Sequence, residues 1–397
     1  MREFRLKAAA VAVALAVALV LAEAAARLLS SPTPDGRTAL AGVPLPPRSW
    51  EATVARNREI LRRAPPGTSY FVADELLGWT VGASRTGRDG LYASSVEGIR
   101  SARPGAAYAA ERRPRRVALV GDSFTFGLEV PFEDSWGERL RQRLGPGVQV
   151  LNFGVDGYGV DQTYLRYLRD VRPWRPDLVI FGFINHDLYR SMAVYAFMSF
   201  PEWGIPFGKP RFVLESGRLE LRNTPVPAPA RILELRSASE LPFVELDPGY
   251  RAREWEKHFY DRSLVARFVV SRFRHGGEPG VDALDPGMAA VNAALLASFV
   301  ELAREAGSAP YLVYFPSRGD FTGQNRLAKD GMLKMFAERG FEHDNLTACV
   351  ARLGESRAFI ADRPHYSAEG NAAVAACLEP AVRARLQASR SGTISRP

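Results

Sequence analysis

The stretch Val117-Ala-Leu-Val-Gly-Asp-Ser-Phe-Thr-Phe-Gly127 constrains this chain more than any other. A run that is apolar at every position reads as a strand buried on both faces. It stops at Gly121-Asp122-Ser123, so a hydroxyl stands where a buried strand opens into a loop. In an open α/β sheet, that edge is where ligands bind.

From residue 116 onward, short apolar runs alternate with segments of helical spacing, as a parallel sheet requires. Strands are expected over 117–120, 148–152, 177–182 and 310–315, and helices over 136–144, 160–171, 288–306 and 325–339. A helix over 345–353, a short strand over 358–360 and a last helix over 367–387, with Ser367 as its N-cap, complete the pattern. The fold class is therefore α/β, a three-layer α/β/α arrangement around a central parallel sheet, with the main domain over 116–388 and a polar tail over 389–397. The rhythm breaks between 187 and 285, a gap too long for a structureless loop in a compact domain. An insertion subdomain is expected there, with Trp203, Phe207, Trp255 and Tyr260 either lining a lid or forming its own core. Residues 30–48, rich in Pro and Gly, read as a linker. Residues 49–115 read as an N-terminal extension with a helix over 50–63 and strand-like pieces at 78–81 and 91–94.

Ahead of the linker, Arg2, Arg5 and Lys7 precede an uninterrupted apolar run from Ala8 to Ala22. Basic residues before an apolar core keep residues 1–7 in the cytoplasm and send the downstream chain across the membrane. Counted over 8–29, the segment reaches the ~20 residues that span a bilayer, so a retained anchor is expected. Cleavage at Ala22-Glu23-Ala24, which fits an A-x-A site, is the alternative and would release a secreted protein. Either way the body lies outside the cytoplasm, on the periplasmic side.

An apolar share of 46% and a charged share of 24% are those of a globular protein. The net charge of +8 comes without a basic run interleaved with aromatics, so no nucleic-acid partner is expected. Five scattered histidines (186, 258, 275, 343 and 365) offer no metal-ligand spacing, and neither metal nor cofactor is expected. Cys349 and Cys377 flank residues 362–365; in an oxidising compartment the pair permits a disulfide, the alternative being two buried thiols.

A serine hydroxyl is a poor nucleophile at neutral pH and needs a base. One candidate stands late in the chain, in Asp362-Arg-Pro-His365, where a carboxylate and an imidazole share one tight loop stiffened by Pro364. Histidine titrates near neutrality, which suits it to taking the serine proton, and a carboxylate fixes its tautomer.

Gly121-Asp-Ser-Phe-Thr, Asn152-Phe-Gly-Val-Asp-Gly157, Asn185 and Asp362-Arg-Pro-His365 occur in the order of the four sequence blocks of the SGNH (GDSL-type) hydrolases, and the chain resembles that family from about 116 to 378. The resemblance implies a flavodoxin-like sheet, Ser123 as nucleophile, His365 as base and Asp362 as its orienting acid. It also implies an oxyanion hole made of the Ser123 amide, the Gly157 amide and the Asn185 side chain. Gly154 is the alternative to Gly157. One departure stands in the third block, where the family has Asn directly followed by Asp and this chain has His186 between Asn185 and Asp187.

The expected function is that of a membrane-tethered, extracytoplasmic serine esterase acting on acyl, for example acetyl, esters of carbohydrate. An O-acyltransferase of envelope polysaccharide would use the same residues. A non-catalytic glycan-binding protein is the reading of a different class.

Overall fold

Apolar runs of five or six residues are buried on both faces only in the middle of a layered structure. In the computed structural model, which describes residues 2–33, 36–63, 69–111, 113–273 and 284–388, they form one parallel sheet. Its strands are β1 (Arg115–Val120), β2 (Val148–Asn152), β3 (Leu178–Phe183), β4 (Ala309–Tyr314) and β5 (His343–Asn345), in the order β2-β1-β3-β4-β5. Val117 aligns with Val150 on one side and Leu178 on the other, and Ile180 aligns with Tyr311.

The period of two sorts the side chains between two helical layers. Val117, Leu119, Ile180 and Val313 meet Trp136 and Leu140 of the helix Trp136–Leu144, and Val374 and Leu378 of the helix Ala368–Ala388. On the opposite face Phe181 meets Phe299 of the helix Pro286–Glu305 at 4.9 Å between ring centres, and Tyr167 meets the same ring at 5.0 Å. The strand order reverses direction between β1 and β3, which makes their carboxyl ends the switch point at which such sheets bind ligands.

Two expectations near the end of the chain change. Residues 343–345 pair with β4 as an edge strand, and only Thr347–Val350 beyond them is α-helical. Residues 355–358 form a helical turn in place of a strand, with Phe359 bridging Tyr366. Both segments are shorter than the periodicity needed to tell strand from helix. Cys349 and Cys377 are bridged, with Cα atoms 6.2 Å apart, which fastens the short helix to the last one. The expected tail over 389–397 lies outside the described residues.

The parallel sheet belongs to a unit made of residues 63–194, 207–229 and 280–397. Residues 1–62, 195–206 and 230–279 form the second unit. The region 187–285 is therefore not one insertion: its residues 207–229 stay with the sheet, carrying the hairpin Arg211–Glu215 and Arg218–Arg222. Nor is 30–48 a linker. Ser30–Pro32, Thr38–Leu40 and Val43–Leu45 pair into a small antiparallel sheet that buries Ala39 and Leu45. The prolines and glycines that suggested a linker mark its turns and edges. In the same unit Trp255 packs edge-on against Trp50 at 6.1 Å, Trp203 stacks on Phe200 at 4.1 Å and Tyr260 stacks on His258 at 4.9 Å. These aromatics serve that unit's own packing; Phe207, in the unit of the parallel sheet, instead stacks on Trp79 at 6.1 Å.

Candidate active site

Ser123 is placed by the turn that ends β1. Gly121 has φ +155°, and a Cβ there would stand 2.4 Å from the Gly182 carbonyl oxygen, so only glycine lets β1 pass β3 this closely. Asp122 then caps the one-turn helix Ser123–Phe126, its Oδ1 accepting from the Phe124 amide at 2.9 Å. Ser123 is 2% exposed, and its Oγ lies 2.9 Å from His365 Nε2. The two residues, 242 positions apart in the chain, meet at the same edge of the sheet.

The other imidazole nitrogen, Nδ1, lies 3.0 Å from Glu129 Oε2. This corrects the expectation for Asp362, which is exposed, has φ +56° and makes no hydrogen bond to His365 among the described residues. The loop around it is closed by backbone and arginine contacts: the Ile360 amide donates to the His365 carbonyl at 3.0 Å, and Arg318 Nη2 donates to the Ile360 and Arg363 carbonyls at 2.8 and 3.0 Å. Aspartate tolerates the left-handed region better than most residues. Asp362 therefore shapes the turn that presents His365, while the carboxylate comes from six residues beyond the serine.

Glu129 occupies a demanding position, and the N-terminal extension builds it. Its φ is +72°. Its amide donates to the Tyr92 hydroxyl at 2.8 Å, and its Oε1 faces Arg88 Nη2 at 3.4 Å and Arg363 Nε at 3.8 Å. The preceding and following carbonyls, those of Phe126, Gly127 and Val130, all accept from the buried Arg100 guanidinium. Arg100 also stacks over Phe126 at 4.3 Å and Tyr92 at 5.1 Å. Burial pulls Arg100 down to about 10, so it keeps its charge at neutral pH.

The expected oxyanion donors can be followed in the same way. Gly154 is committed elsewhere: its amide donates to Asn152 Oδ1 at 2.9 Å, and a Cβ there would meet the Phe126 amide nitrogen at 2.5 Å. Gly157, with φ +78°, keeps its amide unengaged among the described residues. Trp79 clamps both of its neighbours, donating from Nε1 to the Asp156 carbonyl at 2.9 Å and accepting at its own carbonyl from the Tyr158 hydroxyl at 2.6 Å.

Asn185 opens the helix Asn185–Arg190 directly beyond β3 and is 6% exposed. Its Oδ1 accepts from Asn325 Nδ2 at 3.4 Å, whereas its Nδ2 is buried without a partner among the described residues. An unpartnered buried donor is costly, which fits a group kept for a charge that develops during reaction. The inserted His186 takes the second position of this helix, half-buried, with burial and the Arg190 charge pulling it down to about 4. Asp187, displaced by one position, turns back to accept from the Ile184 amide at 3.1 Å. Arg190 Nη1 bridges Asp187 at 2.7 Å and Asp122 at 3.0 Å, tying the loops after β1 and β3 together. Burial, followed by the neighbouring Asp122 charge, pushes the Asp187 carboxyl up, and Arg190 opposes the rise.

Sequence reasoning missed Glu129, Tyr92, Arg100 and Trp79. A lone glutamate in Gly127-Leu-Glu-Val130 carries no spacing signal, and the other three lie more than 20 residues upstream of Ser123. What could have pointed to Glu129 is the need for a buried carboxylate close to Ser123, which the exposed Asp362 does not meet.

Residues 117–202 match the GDSL-like Lipase/Acylhydrolase family model. Among solved structures, the chain is similar to a lipolytic protein of the G-D-S-L family from Desulfitobacterium hafniense, with 16% identity over 66% of this chain and 97% of that one and a TM-score of 0.34. A lipase/acylhydrolase from Enterococcus faecalis (13% identity, 68% and 96% covered, TM-score 0.36) and a carbohydrate acetylesterase from Sinorhizobium meliloti (14%, 68% and 99%, 0.34) are similar to the same extent. No curated protein matches the chain. The matched segment runs from β1, with the serine at its end, through β3, and its similarity to GDSL-like lipase/acylhydrolases supports an ester-hydrolysing serine enzyme.

Proposed function

We propose that the chain is a membrane-tethered, extracytoplasmic esterase that removes acyl groups, acetyl in particular, from carbohydrate through Ser123, His365 and Glu129. The observation that carries this reading is the continuous line of hydrogen bonds from Ser123 Oγ through His365 to Glu129, at 2.9 and 3.0 Å. In the first half-reaction Ser123 Oγ attacks the ester carbonyl while His365 Nε2 takes the hydroxyl proton. Glu129 holds Nδ1 protonated and balances the imidazolium. The oxyanion is received by the Ser123 and Gly157 amides and by Asn185 Nδ2. His365 then returns the proton to the leaving alcohol. Water, deprotonated by the same nitrogen, releases the acid and restores Ser123.

The location is supported by the N-terminal helix Glu3–Leu29, whose apolar stretch reaches a mean hydropathy of 2.4 over 18 residues and whose exposed surface suits a bilayer. The Cys349–Cys377 bridge suits an oxidising compartment. Outside the cytoplasm, esters are found on envelope glycans and exported carbohydrate, which is the basis for the substrate class. The test is turnover of nitrophenyl acetate and of acetylated oligosaccharides by the full chain, with and without a glycan acceptor. Release of free acetate at a rate independent of the acceptor supports the esterase. Acetate that appears on the acceptor instead would replace it with an acyltransferase.

A further inference from the structure

The N-terminal helix contains one charge that its hydrophobic stretch should not tolerate. Glu23 follows fifteen apolar residues, and an unpaired carboxylate near the hydrocarbon region is expensive. Here it is fully engaged. Its oxygens accept from the Ser263 hydroxyl at 2.9 Å and from the Leu264 and Val265 amides at 3.1 and 3.2 Å, and Arg27 lies 2.8 Å away. The carboxylate thus caps the helix Leu264–Phe273, satisfying amides that a helix N-terminus leaves open. Apolar contact reinforces the junction. Ala26, Leu45 and Leu264 form one buried cluster, with Val265 and Phe268 packed against it.

This junction fixes a depth. With Arg5 and Lys7 at the inner boundary, about 20 residues at ~1.5 Å each bring the outer boundary of a ~30 Å hydrocarbon layer to the neighbourhood of Arg27. Residues 263–265, bonded to Glu23, must then lie at or just within the outer acyl boundary. The side chains beside them agree. Phe259 is 92% exposed, Val269 49%, and Leu28 and Leu29 at the end of the anchor 86% and 73%. Between 251 and 273 there are six Lys and Arg against three Asp and Glu. Arg262 and Arg272 are exposed, the latter over the Phe268 ring at 4.8 Å. Exposed apolar side chains among exposed cations, on a helix joined to a spanning segment, are what a phospholipid interface receives.

We infer that residues 259–273 lie in the outer headgroup–acyl boundary of the membrane, docked on the anchor through Glu23. The bilayer is the partner of this surface, and the proposal rests on the spanning reading of Glu3–Leu29. In this arrangement the unit that carries the anchor is seated on the membrane and does not swing from a linker. Cleavage after Ala24 would remove the cap of the helix Leu264–Phe273, so the anchor stays with the folded chain.

The test uses the full chain, reconstituted in vesicles of phosphatidylethanolamine and phosphatidylglycerol. Because Cys349 and Cys377 are bridged, Phe259→Cys or Val269→Cys introduces a single free thiol for an environment-sensitive fluorophore. The expected result is quenching of both probes, by about twofold or more, by a nitroxide placed near the headgroup end of the lipid chains, and protection from aqueous iodide. Probes quenched by iodide and untouched by the lipid nitroxide, in protein that survives carbonate washing of the vesicles, overturn the interfacial helix and leave the anchor standing. Protein that washes off the vesicles, or whose intact mass lacks the first 24 residues, overturns the anchor and the inference with it.

Discussion

Exchanging Glu129 for glutamine separates the two carboxyl groups available to His365. The amide preserves shape but cannot act as a carboxylate toward Nδ1, which leaves the imidazole free to adopt the tautomer that points a proton at Ser123. In a serine hydrolase triad, the equivalent change costs about 10⁴ in kcat, or about 5.5 kcal/mol of barrier. Glu129 is nearly buried, its side chain 9% exposed and 3.0 Å from Nδ1, so water replaces it poorly and the loss should be about 10³–10⁴. Asp362→Asn is the comparison. Asparagine accepts the φ of +56° as readily as aspartate, so the turn is kept while the charge goes, and kcat should stay within about twofold. Initial rates on nitrophenyl acetate for both variants, with circular dichroism to show that each is folded, decide the matter. Near-normal rates for Glu129→Gln with a thousandfold loss for Asp362→Asn would refute the assignment.

Three further outcomes are expected. Trp79→Phe removes the donor that holds the Asp156 carbonyl beside Gly157, and kcat should fall by about fivefold with KM within about twofold, since one hydrogen bond is worth about 1 kcal/mol; a change confined to KM would place Trp79 in substrate binding instead. Replacing both Cys349 and Cys377 by serine releases a loop closed over 28 positions, which should lower unfolding free energy by about 3–4 kcal/mol in denaturant titration. His186 is held neutral in the fold, near 4 against an ordinary 6.5, so between those values the unfolded chain binds a proton that the folded one refuses. Stability should therefore fall as pH drops from 6.5 toward 4, by about 3 kcal/mol at most, and by about 2 given the ring's partial exposure. In His186→Asn the decline should be flatter by that amount in unfolding free energies measured across the window.

The features legible in the sequence were those with a local signature. β1 announces itself by an unbroken apolar run, its end by Gly121, and the proposed nucleophile Ser123 and base His365 by residue type at the ends of such elements. Glu129 was not legible because its role depends on a left-handed turn and on Arg100 and Tyr92, which reach it only through the folded extension. Asp362 misled for the converse reason: nearness in sequence to His365 put it on the same loop, and the turn that presents the imidazole exposes the carboxylate. The region 187–285 lacked a period because its chain passes between two units, and the short strands of 30–45 are built from two or three residues around glycine and proline. No window of alternation is long enough there to be read.

The central claim is that Ser123 is a nucleophile activated by His365. It is tested most directly by reacting the full chain with a fluorophosphonate and locating the adduct by peptide mass. The account predicts a single adduct on Ser123, absent in Ser123→Ala and formed at least about a hundredfold more slowly in His365→Ala. An adduct on another residue, or labelling that persists undiminished in Ser123→Ala, would contradict it.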